Sequence, residues 1–459
     1  MTPATSQGQA GVRQIVIVGN GIAGITAARH IRKRSDHEIT VVSAESDHFF
    51  SRTALMYIYM GHMRYQDTKP YEDWFWEKNR IRLLRAFVER VDTGRKRLRL
   101  AGGRELAYDV LILATGSKSN KFGWPGQDLH GVQGLYSLQD LELMEGATRD
   151  VRQAVVVGGG LIGIEMTEML LSRGIPVTFL VREASWMDFA FPAEESAMIN
   201  RHIREHHVDL RLGAELDHIV DDGRGRARAV VTKTGEEIPC GFVGLTVGVS
   251  PNIDFLAGSG IECQRGILVD EYLRTSVEDV YAAGDCVQLR QPRPGRRPIE
   301  PVWYVGRAMG ETLAHTLCGQ PTPYLQDVWF NSAKFFDLEW QVYGDIPAQL
   351  PDGHETLYWE HAGGKKAIRI DYRQSDGAVT GFNLMGIRYR HEVCDLWLRE
   401  ERPVHEVLAD LGAANFDPEL FPQHERELIE TYHRRHPERP VRLRRKRGLR
   451  DLLSLRRAS

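Results

Sequence analysis

Cysteine is scarce. The chain has five in 459 residues, Cys240, Cys263, Cys286, Cys318 and Cys394, and none forms a CxxC pair. That spacing argues against a structural metal site and a disulfide framework, and it fits a reducing, cytoplasmic compartment. Long apolar runs are lacking as well: none approaches the roughly 20 residues a membrane-spanning helix needs. The first residues, MTPATSQGQAGVRQ, contain no apolar signal core, so a frayed lead-in is expected there. What remains is a globular composition, 42% hydrophobic and 26% charged, over a length that should divide into roughly two or three domains. The net charge of −3 is unevenly spread. Residues 434–459 carry eleven Lys/Arg against two Asp/Glu, a net of +9 that leaves −12 for the body.

Two stretches repeat one pattern. Gln14–Val18 is a short β-branched run, residues 22–31 read as a helix, and 38–44 read as a second strand ending at Glu45. Further on, strand Ala154–Val157, helix Leu161–Ser172 and strand Val177–Val181 follow the same order. Each first strand meets a glycine turn, Gly19-x-Gly21-x-x-Gly24 and Gly158-x-Gly160-x-x-Gly163. In such a turn one glycine makes the bend, the next lets the backbone approach a pyrophosphate, and the third packs helix on strand. The helix N-terminus then offers free N–H groups to the phosphates. Glu45 lies 21 residues after Gly24 and Glu183 lies 20 after Gly163, where a carboxylate can bind ribose hydroxyls. Two traps imply two dinucleotides: a flavin held permanently and a nicotinamide that exchanges. Glu183 favours NADH; Arg182 beside it could meet a 2′-phosphate, so NADPH stays open.

Other segments fill in the chain. Residues 81–100 suggest a hairpin, 108–113 a buried strand, and 245–247 and Val280–Ala282 later strands. From about Val328 the pattern becomes hairpin-like, with helices from about His391. The expected fold class is α/β: two doubly wound, Rossmann-like dinucleotide-binding domains plus an α+β C-terminal domain. The corresponding division is an FAD-binding domain in two parts (12–120 and 249–327), an NAD(P)H-binding domain (121–248), the C-terminal domain (328–433) and a basic tail (434–459).

ATG (114–116) after a strand, and TSVEDVYAAGDC (275–286) about 160 residues later, complete an ordered motif set. In it, residues 12–345 resemble the two-dinucleotide-binding flavoproteins of the pyridine nucleotide-disulfide oxidoreductase superfamily. The resemblance implies that Thr115, Gly116, Gly284 and Asp285 contact FAD, with Asp285 accepting from its ribityl or pyrophosphate region. The disulfide branch keeps a redox cysteine soon after the first ribose acid. Here SDHFFSRTALMYIYMG (46–61) has none, so thiol chemistry at the flavin is not expected. FFSRTAL instead resembles a stretch of NADH-dependent ferredoxin, rubredoxin and nitrite reductases, which implies Arg52 in the flavin pocket. Tyr57 stands where ferredoxin reductases often have a lysine. GRRPIEPVWYVGRAMGE (295–311) resembles dioxygenase-type ferredoxin reductases and apoptosis-inducing factor, implying Glu300 and Trp303 near the isoalloxazine. WFNSAKFFDLEWQVYG (329–344) resembles the opening of their C-terminal domain; it contributes Lys334, and Asn331 replaces the expected aromatic. Glu165 matches a glutamate placed where nicotinamide meets flavin.

The activity implied is an FAD-dependent NAD(P)H:acceptor oxidoreductase, with rubredoxin, ferredoxin or quinone as acceptor. Two alternatives rest on the tail VRLRRKRGLRDLLSLRR: a peripheral membrane NADH:quinone oxidoreductase, or a flavoprotein that docks nucleic acid or an acidic partner. No nucleic-acid motif accompanies the basic residues. A disordered solubilising tail accounts for them equally, and a homodimer is left open.

Overall fold

A computed structural model of the chain describes residues 11–416 and 420–444. Contacts group it into two units: 1–158, 169–177 and 216–326 form the first, and 159–168, 178–215 and 327–459 the second.

The first unit is built on a five-stranded parallel sheet. In spatial order its strands are Val280–Ala282, Val110–Leu113, Gln14–Val18, Glu38–Ser43 and Ile81–Arg85. Numbered along the chain, that order is 5-4-1-2-3, the doubly wound arrangement whose ligand crevice lies at the carboxyl end of the first strand. Gln14–Val18 is buried almost throughout because strands pair on both of its edges and helices cover it. Helix Ile22–Arg32 packs against helix Trp303–Leu317. The glycines of the latter allow a close approach: a Cβ on Gly310 would stand 2.4 Å from the Ala23 carbonyl oxygen.

The hairpin expected over 81–100 divides. Ile81–Arg85 joins the parallel sheet beside Glu38–Ser43, while Val88–Asp92, Arg97–Leu100 and Glu105–Ala107 form a separate antiparallel meander. At the sheet edge, strand Ile81–Arg85 buries Ile81 and leaves Arg82 exposed, which mimics a half-solvated hairpin strand. The strand expected at 245–247 is Phe242–Leu245, paired in parallel with Ala154–Val157.

In the second unit Val177–Val181 pairs in parallel with Asp209–Leu212. Beyond it stands a five-stranded antiparallel sheet, ordered Phe330–Phe335, Leu338–Gly344, Val379–Met385, Ala367–Arg373 and His354–Glu360. Helices His391–Arg399, Val404–Asp410 and Glu425–Arg435 follow. Helix Ala193–Glu205 is tied to this sheet by a buried ion pair. Arg369 donates twice to Glu195 (2.7 and 2.9 Å), and Asn383 adds a bond to the same carboxylate (3.1 Å). The basic tail begins inside helix Glu425–Arg435, and Val441 is buried in the same core. Arg444 pairs with Asp410. Of the stretch VRLRRKRGLRDLLSLRR, on which an amphipathic membrane-binding segment was expected, everything from Arg445 on lies outside the described residues.

Candidate dinucleotide sites

The first glycine turn has the shape its residues imply. Gly19 has φ +113°, and a Cβ there would stand 2.0 Å from the Ala114 carbonyl oxygen. Gly24 is as tight, 2.1 Å from the Gly19 oxygen. Gly21 differs: a Cβ there would meet nothing within 4 Å. Packing therefore requires Gly19 and Gly24, whereas Gly21 keeps open a space that a side chain would fill. Helix Ile22–Arg32 has no side-chain cap and no acid in its first turn. Its leading N–H groups have only a ligand or solvent to meet, which fits a dinucleotide phosphate.

Around this turn the structure gathers residues from distant parts of the sequence. Arg52 forms a bidentate pair with Glu45 (2.7 and 2.6 Å) and donates to the Tyr136 carbonyl (2.6 Å). Its guanidinium lies 4.5 Å from the centre of the Tyr136 ring. The Tyr136 hydroxyl accepts from Ser117 N–H (2.9 Å) and donates to Asp285 (3.1 Å). Burial and the Asp285 carboxylate hold that hydroxyl well above its ordinary pKa. Burial also raises Asp285, while Tyr136 and Arg52 pull it back. Glu45 accepts a further bond from Leu138 N–H (3.0 Å). Tyr136, which the motif reading passed over, thus touches Arg52 and Asp285 directly, reaches Glu45 through Arg52, and closes on Gly116, where a Cβ would stand 2.8 Å from its hydroxyl. The legible signal was SLQD directly after it: Ser137 and Asp140 form a capping box that starts helix Leu138–Ala147 and aims its first N–H at Glu45.

The other first-unit candidates lie close by. Thr115 donates to the Asn252 carbonyl (2.8 Å). Gly284 has φ +86°, and Gly306, one turn into the helix that Trp303 begins, would bring a Cβ to 3.7 Å from the Gly284 Cα. Trp303 is half-buried, and Glu300 is buried in a bidentate pair with Arg296 (2.8 and 3.0 Å).

The second turn repeats the division of labour. Gly158 has φ +112° and would place a Cβ 2.6 Å from the Thr246 oxygen, while Gly160 faces open space. Gly163 donates to the Gly160 carbonyl (3.1 Å) as helix Leu161–Ser172 begins. The opposed signals at 182 and 183 meet directly: Arg182 donates to Glu183 through Nε and Nη2 (2.9 and 2.8 Å).

In the second unit Glu165 lies beyond the first helical turn, so the helix dipole alone does not account for it. Burial, and then the charge of Glu168 three residues on, raise its carboxyl to about 7. Glu168 accepts from Phe336 N–H (3.2 Å) and lies 3.8 Å from the Lys334 ammonium. Glu168 is the link the sequence reading missed; i,i+3 spacing on one helix face was the available clue. All five cysteines are free thiols. Burial pushes Cys240 up to about 12 and Cys286 to about 11, so neither is a ready nucleophile.

A family model described as pyridine nucleotide-disulphide oxidoreductase matches residues 13–310. The NAD(P)H nitrite reductase of Bacillus subtilis (strain 168) is 30% identical over 374 residues, which are 80% of this chain and 45% of that protein. The ferredoxin–NAD(+) reductase component of the p-cumate 2,3-dioxygenase system of Pseudomonas putida is 30% identical over 340 residues, 73% of this chain and 82% of that one. Among solved structures, an NAD-dependent persulfide reductase from A. fulgidus superposes with TM-score 0.79 at 24% identity, covering 92% of this chain and 84% of that chain. The last likeness speaks to the fold alone. The chain spans a little under half the length of the two Bacillus subtilis relatives it matches.

Proposed function

The chain belongs to the pyridine nucleotide-disulphide oxidoreductase family, and from that premise we propose that it is an FAD-dependent NAD(P)H:acceptor oxidoreductase. It takes electrons from NADH and passes them to a small redox protein of the ferredoxin or rubredoxin kind. The observation that carries this reading is the duplicated trap: Gly21 and Gly160 each open on empty space at a helix N-terminus, with Glu45 and Glu183 closing the following strands. The name of the Pseudomonas putida relative supports the acceptor class.

When bound, FAD supplies the exchange between two-electron nicotinamide and one-electron carriers, chemistry that belongs to the cofactor. The chain's own residues bind and orient. Glu45 has two oxygens and three bonds in place, which leaves acceptor capacity for ribose hydroxyls. Asp285 offers a carboxylate to further hydroxyls, and Tyr136 holds it in position. Glu165, a carboxyl balanced near neutrality, can donate as well as accept a hydrogen bond, which suits it to an amide. Glu168 sets its electrostatic surroundings, and Lys334 lies 3.8 Å from Glu168. In the first unit, Glu300 and Trp303 stand at the start of the helix that packs against helix Ile22–Arg32, and in this reading they belong to the flavin's surroundings. Five free thiols, three of them buried, suit a reducing cytoplasm. No helix among the described residues is long and apolar enough to cross a membrane.

NADH is the preferred donor in this reading, because Glu183 repels a 2′-phosphate and Arg182 is engaged by that same carboxylate. Stopped-flow reduction with each nucleotide, followed by a screen of ferredoxins, rubredoxins and quinones, tests the proposal. Faster reduction by NADH and turnover with an iron–sulfur acceptor are expected. Faster reduction by NADPH overturns the donor, and turnover confined to quinones in anionic bilayers overturns the acceptor.

A further inference from the structure

Away from both glycine turns, the second unit carries a cluster that the proposed activity does not use. His202 and His206 are four residues apart on the C-terminal turn of helix Ala193–Glu205 and its cap, so their rings share one face. Opposite them, the strands Phe330–Phe335 and Leu338–Gly344 are joined by a two-residue turn, Phe336-Asp337. Phe336 takes a left-handed conformation (φ 54°) and stacks on the His206 ring at 4.3 Å. Asp337 is thereby set against both imidazoles. Its Oδ1 lies 2.8 Å from His202 Nε2 and 2.9 Å from His206 Nε2. The three potential ligand atoms lie within 4.8 Å of one another.

Hydrogen bonding alone does not account for the arrangement. His206 is in hydrogen-bond geometry with Asp337. His202 is not: it is 2% exposed, yet neither of its ring nitrogens makes a hydrogen bond. A buried polar ring this close to a carboxylate, but turned off the line of a bond, is a costly arrangement. A ligand seated between the groups would satisfy it.

We propose that His202, His206 and Asp337 bind one divalent first-row transition-metal ion, Zn²⁺ being the natural probe, and that the ion clamps the end of helix Ala193–Glu205 to the hairpin of the antiparallel sheet. Two imidazoles and a carboxylate are the ligand set such ions take, in preference to Mg²⁺ or Ca²⁺. Bonds of about 2.0–2.1 Å to a tetrahedral ion place ligands about 3.3 Å apart, so Asp337 would draw back from each imidazole by about half an ångström to admit the ion. His206 and Asp337 keep solvent access, which leaves a route of entry and positions for water. Two other charged groups face the cluster: Glu205, 3.7 Å from His202 Nδ1, and Lys365, 3.5 Å from Asp337. Lys365 is half-exposed and can swing away as the ion enters.

The test uses untagged full-length protein, stripped with chelator and dialysed, with its flavin content measured. Titration calorimetry with ZnCl₂ should show one saturable equivalent. His206→Ala and Asp337→Asn should each weaken it by at least about tenfold, at unchanged flavin content. Zn²⁺ should raise the melting temperature of the parent and not of the variants. As a readout independent of variants, Zn²⁺ should shield His206 of the parent from diethyl pyrocarbonate. Absence of a saturable equivalent, an equivalent retained undiminished by both variants, or His206 modified equally with and without Zn²⁺ would overturn the assignment.

Discussion

Replacing Glu165 with glutamine should abolish a pH dependence of stability that the parent shows between about pH 4.5 and 7. In the folded chain burial and Glu168 hold the Glu165 carboxyl at about 7, against 4.5 for the free group. Between those values the folded state binds the proton and the unfolded state does not. Stability therefore declines as pH rises through the window, and the decline is complete above about pH 7. At about 1.4 kcal/mol per pH unit the displacement corresponds to about 3.5 kcal/mol. Glu165 keeps a partly open face, so solvent screening reduces this to about 2 kcal/mol. Glutamine keeps the shape and never ionises. Urea unfolding at pH 5 and pH 8, with m-values compared to confirm that the transition is unchanged, reads the effect directly. The variant should gain about 2 kcal/mol on the parent between the two pH values. A difference that stays constant with pH, or one that changes in the opposite sense, would refute the claim that the folded carboxyl is raised.

Four further outcomes are expected. Gly21→Ala should lower flavin content with little loss of stability, because its Cβ meets only the space a phosphate would take; Gly19→Ala should cost both, since its Cβ falls 2.0 Å from a backbone oxygen. Flavin absorbance and thermal melting separate the two. Tyr136→Phe should weaken FAD retention by about 1.5–3 kcal/mol, the range for a hydrogen bond to a charged group, read by flavin release under dilution. Arg369→Met should cost about 3–5 kcal/mol in denaturant unfolding, because it leaves the fully buried Glu195 without its charge partner. Deleting 445–459 should leave flavin content and NADH-driven reduction unchanged, whereas deleting 440–459 also removes buried Val441 and the Arg444–Asp410 pair and should lower the melting temperature.

Much of this organisation was legible in the sequence because it is written in short-range pattern. The two strand–glycine–helix units, the antiparallel region after Val328 and the helix starting at His391 all follow from periodicity and turn chemistry, and each stands where it was read. The parallel strand at Ile81–Arg85 was misread because an edge position gives it a hairpin's alternation. Within the site, the glycines and the acids after the second strands carry motif signals. Tyr136 and Glu168 do not: they matter through contacts 149 and 168 residues apart in the chain. Nor could spacing show that Glu45 pairs with Arg52, or that Arg182, read as the opposing signal for the nucleotide, is held by Glu183 itself. Those are properties of packed side chains, and a linear pattern does not encode them.

If the two glycine turns hold a flavin and a nicotinamide on one electron path, NADH must reduce the bound flavin. Anaerobic titration of the purified protein with NADH, followed by visible absorbance, tests it most directly. The expected result is a yellow protein with noncovalently bound FAD that bleaches on addition of about one equivalent of NADH, faster than with NADPH, and recolours when an acceptor is added. Cysteine alkylation should leave the bleaching intact. A colourless protein that cannot be reconstituted with FAD, or bound flavin that neither nucleotide reduces, would contradict it.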